Sequence, residues 1–324
     1  MWISDSLDIV IPAYKARFLP LLLQSLINQT SKNFSVIVAD DASPEPLHPI
    51  CEEFGDRLPI RYVRFERNLG ATDLAGHWNR SVKLSHAQWV LLPGDDDALE
   101  ENCIESFWKT VTACHGKFDV YSYGVRFIDQ NGSILRDGIP PAATTSAGQF
   151  LRQRLRNDVS SVPAAYVFSK EIFEALGGFV SFDRGWHSDD ATWAIFGARK
   201  GIQPITSAFV RWRSSPLNIS PVMARDGFRS AQATLAFYSW IIANQSNLAL
   251  TRCDVRQLTD ELLCWRLYAG IADAPQRAWA PAAWRTARFL HRYGSKTLLR
   301  HLFRCARARA IRPSAKTTLP PASS

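Results

Sequence analysis

The chain has 324 residues, of which 46% are hydrophobic and 21% are charged, a composition typical of globular proteins. It is long enough for one large domain or two smaller ones. No run of 18 apolar residues occurs, so we expect no transmembrane helix. The first six residues lack the basic and apolar segments of a signal peptide, so we expect a cytoplasmic protein.

The formal net charge of +8 is unevenly distributed. Residues 274–324 contain eleven Lys or Arg and no acidic residue, which leaves 27 basic against 30 acidic residues in the first 273. Because no basic stripe runs through this nearly neutral part, nucleic-acid binding is not expected. The six cysteines form no CxxC pair and no zinc-site spacing, which favours reduced thiols.

Apolar runs typical of strands alternate with helical periodicity in the first 100 residues. Strands are predicted at 7–11, where Pro12 stops the run, and at 34–39, 60–65 and 89–92. Helices are predicted at 18–29 and 73–86. This alternation predicts βαβ units and an α/β fold with a mostly parallel, Rossmann-like sheet flanked by helices.

Polar residues follow three of these strands. They are Asp40 and Asp41, then Arg67 and Asn68, then the triplet Asp95–Asp97. The carboxyl ends of parallel strands meet at one edge of a sheet, where α/β proteins bind ligands. These side chains are therefore expected to converge on one site, although Asp40 and Asp41 alone would equally suit a turn.

The acidic triplet directly follows the buried run 89–92 and the pair Pro93 and Gly94. Three adjacent carboxylates repel one another unless a cation lies among them. A hard divalent ion, Mg²⁺ or Mn²⁺, with substrate phosphates completing its ligand shell, is one interpretation. The other is the acidic N-terminus of a helix starting near Leu99, favoured by the helix dipole. Because the chain has no GxGxxG or GxxxxGK[ST] motif, a bound nucleotide would need its diphosphate held by the metal.

The middle of the chain continues with a predicted helix at 101–115 and a strand at 120–128. The Asn-Gly pair at 131–132 predicts a hairpin, so the sheet becomes mixed here. Residues 139–148 are expected to form an exposed loop that either shapes an acceptor cleft or is a plain surface loop.

A second acidic pair, Asp189 and Asp190, follows Ser188, a candidate N-cap. The pair is either the first turn of a helix or the source of a general base. A strand with basic side chains, Arg211 and Arg213, is predicted at 209–213.

Four segments together resemble the family 2 glycosyltransferases. They are DIVIPAY at 8–14, VADDAS at 38–43, RNLG at 67–70 and LPGDDD at 92–97, in the family's order. The resemblance covers roughly residues 5–215 and implies a GT-A fold and inverting transfer of a sugar from a nucleotide sugar, usually a UDP-sugar.

By this resemblance, Asp96 is the expected metal ligand together with Asp97, and Gly94 stands where the family often has its first Asp. Asp190 takes the position of the catalytic base, with Asp189 beside it as a second catalytic residue. Either Arg213 or Arg211 replaces the family's customary His near the diphosphate, or both are plain exposed residues of the strand. The residues expected to bind the nucleotide sugar are Pro12, Ala13, Tyr14, Asp40, Asp41, Asn68, Gly70, Asp95 and Arg213.

The predicted domains are a catalytic domain at 1–216, a helical region at 217–312 and a disordered tail at 313–324. Helices are expected at 222–245, 255–269 and 281–309. The last carries Arg or Lys at every third or fourth position, so it either lies on a membrane surface or packs on the body of the protein.

The predicted function is thus metal-dependent transfer of a hexose-type sugar to a saccharide or lipid-linked saccharide, in bacterial polysaccharide or glycolipid synthesis. The enzyme would be cytoplasmic or bound peripherally to the inner face of the cell membrane. The alternatives are a catalytically silent nucleotide-sugar or glycan-binding subunit and a nucleotidyltransferase, although the latter uses a Gly-rich first loop that is absent here.

Overall fold

A computed structural model describes residues 6–218 and 227–258. The strands in these residues are β1 Leu7–Ala13, β2 Ser35–Asp40, β3 Ile60–Arg64, β4 Trp89–Leu91, β5 Ala98–Leu99, β6 Val120–Ile128, β7 Ile134–Asp137, β8 Tyr166–Ser169 and β9 Ile202–Arg213. The helices are α1 Leu19–Ile27, α2 Leu47–Phe54, α3 Leu74–Val82, α4 Cys103–Ala113, α5 Ala147–Arg156, α6 Lys170–Ala175, α7 Ser188–Phe196, α8 Gly227–Ala243 and α9 Arg252–Leu258.

The strands form one mixed sheet in the order β3-β2-β1-β4-β8-β6-β9-β5, with β7 paired to β6. The first four strands of this order are parallel, β8 is antiparallel to β4 and β6, and β9 is parallel to β6. The carboxyl ends of β1, β2, β3, β4, β6 and β9 therefore share one edge with the amino end of β8. The predicted hairpin and the mixed sheet are confirmed.

The order in which successive strands join the sheet reverses at β1. From β1 the chain moves outward to β2 and β3, then returns to place β4 on the other side of β1. The loops that follow β1 and β4 consequently lead to opposite faces, and ligands of open α/β sheets bind in the crevice between such loops. The residues Tyr14 and Lys15 after β1, and the triplet after β4, lie at this point.

Helix α1 shows how the apolar pattern builds the core. Its buried residues Leu19, Leu22, Leu23 and Leu26 recur at helical spacing and face the sheet. Each buried leucine side chain contributes about 1.5–3 kcal/mol. Pro20 lies in the first turn, where the missing N–H group has no partner within the helix.

Aromatic side chains fix α7 against β8. The Trp193 ring stacks on Tyr166 at a centroid distance of 4.5 Å and contacts Phe168 and Phe179 at 5.6 and 5.4 Å. Tyr166 is the first residue of β8, and its neighbour Val167 pairs with Leu91 near the end of β4. The N-terminal turn of α7 is thereby held at the sheet edge that carries the acidic triplet.

Two strand predictions were wrong in detail. β1 does not stop before Pro12 but continues to Ala13, and Pro12 pairs with Ala39 of β2. At this point β1 has a partner on one side only, because its pairing with β4 ends at Ile9, and proline is tolerated at such an edge. The final strand begins at residue 202 rather than 209.

The helix predicted to start near Leu99 was also wrong. Ala98 and Leu99 form β5, which pairs with Arg211 and Val210 of β9, and α4 begins only at Cys103. The triplet is therefore separated from α4 by a strand and is not an acidic helix N-terminus.

Three helices, α2, α5 and α6, were not predicted, and the N-cap of α7 was misplaced. The predicted loop 139–148 ends in α5, where its last two residues are buried. The cap of α7 is His187, with a φ angle of 64° in the left-handed region. Ser188 instead accepts a hydrogen bond from the backbone N–H of Phe182 at 3.0 Å.

In the C-terminal part, α8 lies within the predicted helix 222–245, and α9 overlaps the start of the predicted helix 255–269. The basic helix predicted at 281–309 and the tail at 313–324 lie outside the described residues. Among the residues that the structure describes, no helix combines the length and the apolar character needed to cross a membrane.

Candidate active site

Asp40, the last residue of β2, orders the loop that follows this strand. Its side chain is fully buried. One carboxylate oxygen accepts the Ser43 backbone N–H at 2.7 Å, and the other accepts the Tyr62 hydroxyl and the Arg64 guanidinium from β3. Both oxygens are therefore engaged within the protein.

Asp41 attaches the loop after β3 to the end of β2. Its carboxylate accepts the backbone N–H groups of Leu69 and Gly70 at 2.9 and 2.8 Å, and the guanidinium of Arg80. A Cβ atom at Gly70 would lie 2.8 Å from the Asp41 Oδ2, so only glycine allows this approach. Asn68 stabilises the same loop by accepting the Ala71 N–H at 2.9 Å.

Asp95 binds the backbone of the loop after β1. Its Oδ2 accepts the N–H groups of Tyr14 and Lys15, both at 2.7 Å. The Tyr14 carbonyl in turn accepts the Ser43 hydroxyl at 2.6 Å. The ends of β1, β2 and β4 are thus joined in one hydrogen-bonded network, while the Tyr14 side chain remains 40% exposed.

The Lys15 ammonium lies against two carboxylates of the triplet. Its Nζ is 2.6 Å from Asp96 Oδ2 and 3.4 Å from Asp95 Oδ1. Burial lowers the pKa of Lys15, but Asp95 and Asp96 together raise the pKa above its ordinary value. Burial raises the pKa of Asp95 to about 6, although Lys15 acts in the opposite direction.

Asp97 leaves one oxygen without a partner. Its Oδ2 accepts the Gly94 N–H at 2.8 Å, whereas its buried Oδ1 has no hydrogen-bond partner among the described residues. A Cβ atom at Gly94 would lie 3.0 Å from Asp96 Oδ1 and 3.2 Å from Asp97 Oδ2. Burial and repulsion from Asp96 raise the pKa of Asp97 well above its ordinary value.

These features fit a divalent cation held by Asp96 and Asp97. The carboxylate oxygens of these two residues are the hard donors that Mg²⁺ and Mn²⁺ prefer, and one of them, Asp97 Oδ1, has no hydrogen-bond partner among the described residues. Gly94, which lacks a side chain, leaves space next to both carboxylates. Within the described ranges no three His, Cys, Asp or Glu residues form a metal site by themselves. Magnesium sites in enzymes commonly use one or two carboxylates and take their other ligands from water and substrate phosphates.

Arg213 braces the triplet from the end of β9. Its Nε donates to the Asp96 carbonyl at 3.0 Å, and its Nη1 donates to the carbonyls of Asp129 and Gln130 at 3.2 and 3.3 Å. The side chain is 3% exposed and its guanidinium lies over the Phe18 ring. The structure thus places Arg213 at the predicted site, with these donors directed at backbone carbonyls.

The second acidic pair has its own cationic partners. Arg154 Nε is 2.7 Å from Asp190 Oδ1, and His187 Nδ1 is 3.5 Å from Asp190 Oδ2. Burial raises the pKa of Asp190, but Arg154 and His187 outweigh burial and hold it well below its usual range. Burial and repulsion from Asp190 raise the pKa of the neighbouring Asp189 to about 7.

Arg154, like Lys15 and His187, is a site residue that was not predicted from the sequence. It lies on α5, whose start is a capping box between Ser146 and Gln149. That pattern is readable in the sequence as Ser-x-x-Gln before the apolar residues Phe150 and Leu151. It could have predicted the helix, although not the ion pair with Asp190.

Helix α8 reaches the same acidic pair through His187. The His187 Nε2 lies 3.1 Å from the Thr234 hydroxyl, and its ring stacks on Phe237 at 4.6 Å. A residue of α8 therefore contacts the histidine that faces Asp190.

The comparisons with known proteins agree with this architecture. The family model described as "Glycosyl transferase family 2" matches residues 8–177, slightly more than half of the chain. The chain belongs to glycosyl transferase family 2.

Curated relatives carry consistent names. An uncharacterized glycosyltransferase of Haemophilus influenzae is 28% identical over 174 residues, which cover 53% of this chain and 55% of the relative. A chondroitin synthase of Escherichia coli is 48% identical over 64 residues, which cover 19% of this chain and 9% of the relative. The chain thus spans about half the length of the first relative and a small part of the second.

A solved structure of residues 1–349 of S. aureus TarS in complex with UDP-GlcNAc has the same fold. It matches with a TM-score of 0.70 and 15% identity, over 94% of this chain and 88% of that chain. The GT-A fold predicted from the four motifs is therefore confirmed.

Proposed function

We propose that the protein is an inverting glycosyltransferase that moves a sugar from a nucleoside diphosphate sugar, preferably a UDP-sugar, to an acceptor hydroxyl. The network that joins the loops after β1, β2 and β4 through Asp95 and Ser43 carries the proposal. Family membership and the UDP-GlcNAc complex of the similar TarS structure support nucleotide-sugar binding.

The nucleoside is assigned to the crevice beside β1 and β2. Residues 12–14, with the exposed Tyr14 ring, form one side of it, and the loop that carries Asn68 and Gly70 forms the other. Asp40 and Asp41 hold these loops in place, so the crevice is ordered before the ligand arrives. Such pre-organisation lowers the entropy cost of binding.

The diphosphate is assigned to the triplet. Asp96 and Asp97 would hold Mg²⁺ or Mn²⁺, while Asp95 keeps the β1 loop attached and Arg213 braces the Asp96 backbone. The cation, when bound, supplies positive charge that stabilises the leaving nucleoside diphosphate.

The acceptor hydroxyl is assigned to Asp190, which would take its proton as the oxygen attacks the anomeric carbon opposite the diphosphate. Attack from that side inverts the anomeric configuration. Arg154 and His187 hold the Asp190 carboxylate ionised and oriented. Asp189 is the second acidic residue beside this base, and with a pKa of about 7 it is only partly ionised at neutral pH.

The acceptor is proposed to be a saccharide or a lipid-linked saccharide in bacterial polysaccharide or glycolipid synthesis. The match to a chondroitin synthase supports a polysaccharide. Contact of residues 281–309 with a membrane surface belongs to the same proposal and rests on their basic pattern alone.

One observation favours a second candidate, a silent nucleotide-sugar or glycan-binding subunit. Both key carboxylates are already ion-paired within the chain, Asp96 with Lys15 and Asp190 with Arg154. A protein that only binds would tolerate such pairing permanently, whereas a transferase must free Asp96 when the cation binds.

Calorimetric titration of UDP and GDP, with and without Mn²⁺, tests the donor assignment. We expect Mn²⁺-dependent binding of UDP that Asp96→Asn weakens and that Asp158→Asn, at an exposed carboxylate, leaves unchanged. UDP binding that ignores Mn²⁺ would contradict the metal assignment.

Release of UDP from UDP-sugars in the presence of saccharide acceptors then separates the two candidates. Transfer that is lost in Asp190→Asn, with UDP affinity retained, supports the enzyme. UDP-sugar binding without release for every acceptor tested supports the silent subunit.

A further inference from the structure

Lys15 is attached to the acidic triplet at both ends of the residue. Its backbone N–H donates to Asp95 at 2.7 Å, and its ammonium group contacts Asp96 at 2.6 Å and Asp95 at 3.4 Å. The side chain therefore folds back over its own backbone anchor and fills the space between the two carboxylates. Because 22% of it is exposed, it can leave this position without disturbing the core.

Lys15 has no equivalent at the triplet. Among the described residues, it is the only Lys or Arg whose side-chain nitrogen makes an ion pair with Asp95, Asp96 or Asp97. Arg213 is close, but its Nε donates to the Asp96 backbone carbonyl. The charge of Arg213 also acts on Asp96 and Asp97, but the direct ion pairs to the triplet in the described residues come from one ammonium group.

This ammonium group and a divalent cation exclude each other. A Mg²⁺ ion lies about 2.0–2.1 Å from a carboxylate oxygen. The Lys15 Nζ is already 2.6 Å from Asp96 Oδ2, so both cations would crowd one oxygen and repel each other. A cation that takes Asp96 as a ligand must consequently displace Lys15.

A nucleoside diphosphate offers the displaced group a new partner. Lys15 is the second residue of the loop after β1, opposite the triplet at the point where the strand order of the sheet reverses. A lysine on a flexible stem binds phosphate as a point charge. A diphosphate on the cation would therefore lie within the reach of the side chain that the cation has expelled.

We infer that Lys15 is an internal counter-ion that substitutes for the divalent cation in the ligand-free protein and transfers to the diphosphate when cation and nucleotide bind together. The inference rests on the proposed function. Its consequence is positive cooperativity: the cation alone must break the Lys15 ion pairs, whereas with the nucleotide present the lost pairs are replaced.

Titration of the full chain with Mn²⁺, with and without UDP, tests this inference by calorimetry and by the Mn²⁺ electron paramagnetic resonance signal. Lys15→Met removes the charge at constant length, and Lys15→Arg retains it. Lys109→Met is the matched control, because it removes a Lys–Glu105 pair on the surface of α4. A thermal melt of each variant checks folding.

We expect Lys15→Met to bind Mn²⁺ without UDP at least about fivefold more tightly than the wild type, the lower end of typical coupling between sites. The same variant should lose most of the gain in Mn²⁺ affinity that UDP gives the wild type. Lys15→Arg and Lys109→Met should retain that gain.

Unchanged or weaker Mn²⁺ binding by Lys15→Met in the absence of UDP would overturn the inference. The proposed metal role is judged separately, by whether the wild type binds Mn²⁺ in the presence of UDP. If the wild type shows cooperative binding and Lys15→Met shows it equally, the metal role stands and the counter-ion role is wrong.

Discussion

Asp189 and Asp190 are adjacent in sequence, yet the pKa values of their carboxyl groups shift in opposite directions. Asp190 faces Arg154 and His187, whereas partly exposed Asp189 has the negative charge of Asp190 as its neighbour. Pairs of carboxyl groups with separated pKa values are typical of sites that divide acid and base roles. This contrast makes the pH dependence of the reaction diagnostic.

If Asp190 is the base, the transfer rate should stay level as the pH falls from 8 to about 6.5, because its lowered pKa keeps the carboxylate ionised. Below that pH the rate should fall for a separate reason, since Asp95, whose pKa is about 6, becomes protonated. If Asp189 is the base, the rate should fall about tenfold per pH unit below 7, since its pKa is about 7. We expect the level profile. It should persist in Asp189→Asn, whereas Asp190→Asn should lose about 10²–10⁴-fold in rate.

The measurement is the pH dependence of kcat/KM for both variants and the wild type. If the rate of the wild type falls below about pH 7 and this fall is absent in Asp189→Asn, Asp189 is the base.

Adding one methyl group at Gly70 tests the assignment of the nucleoside to the crevice beside β1 and β2. Gly70→Ala would bring a Cβ to 2.8 Å from Asp41 and push the loop away from β2. We expect UDP affinity to fall by about tenfold, in line with the 1–3 kcal/mol that overpacking costs. Gly55→Ala is the control, because its added Cβ would meet the nearest atom at an ordinary 3.4 Å. Calorimetry that gives equal UDP affinities for both variants would contradict the assignment.

The sequence predicted which acidic residues converge, but not how their charges are balanced. The triplet and the Asp40–Asp41 pair could be located because each follows an apolar run that ends at one sheet edge. The partners Lys15 and Arg154 could not be assigned, since they lie 81 and 36 residues from the carboxylates that they bind. Such long-range ion pairs leave no periodic signal.

At the level of elements, α5 connects the acidic pair on α7 to the C-terminal helix α9. Arg154 binds Asp190 on α7, and Arg152, on the same helix, binds Asp254 on α9 at 2.7 Å. Two arginines on the same helix thus make comparable ion pairs: Arg154 with the candidate base, and Arg152 with the C-terminal helix α9. The second can therefore serve as a control for the first.

We expect Arg154→Met to reduce transfer more than tenfold and to destabilise the protein by about 3–5 kcal/mol at pH 7, because it leaves a buried carboxylate without its cation. In the wild type the lowered pKa of Asp190 contributes stability above its unfolded pKa of 3.8, and this contribution is lost as the pH falls through the folded pKa. The difference in free energy of unfolding between the wild type and Arg154→Met should therefore become smaller below about pH 4.

Urea unfolding from pH 3 to 7 and transfer assays measure these effects, with Arg152→Met as the control. A difference that is constant across this range would mean that Arg154 acts through packing and not through the charge of Asp190.

The elements themselves were predicted where one physical signal dominated. The buried parallel strands and α1 follow directly from apolar runs and helical spacing. β5 could not be predicted, because two residues carry no period and the strand exists only through its pairing with β9. Helix α2 was missed because it is eight residues long and carries Pro49 in its first turn, where proline is tolerated.

At the level of the whole molecule, α8 is connected to the candidate base Asp190 through the contact between Phe237 and His187. Phe237→Ala and Ile241→Ala both empty a buried position on α8 and should each cost about 2–5 kcal/mol. Only Phe237→Ala removes the ring that stacks on His187. We therefore expect kcat to fall several-fold more in Phe237→Ala, measured at a temperature where both variants are folded. Equal kcat values would show that α8 affects stability alone.

The position of β9 has a consequence for synthesis on the ribosome. The crevice assigned to the nucleotide sugar is built mainly from residues 12–97, but Asp96 is braced by Arg213, and within the described part of the chain β5 pairs only with β9. More than 100 residues separate the triplet from Arg213, and they must still be translated after the triplet has been synthesised. Ribosomes add only about 5–20 residues per second. During that interval the acidic loop is exposed to the cellular pool of Mg²⁺ and nucleotides without its final geometry, and the nascent chain should acquire nucleotide affinity only once residue 213 has left the exit tunnel.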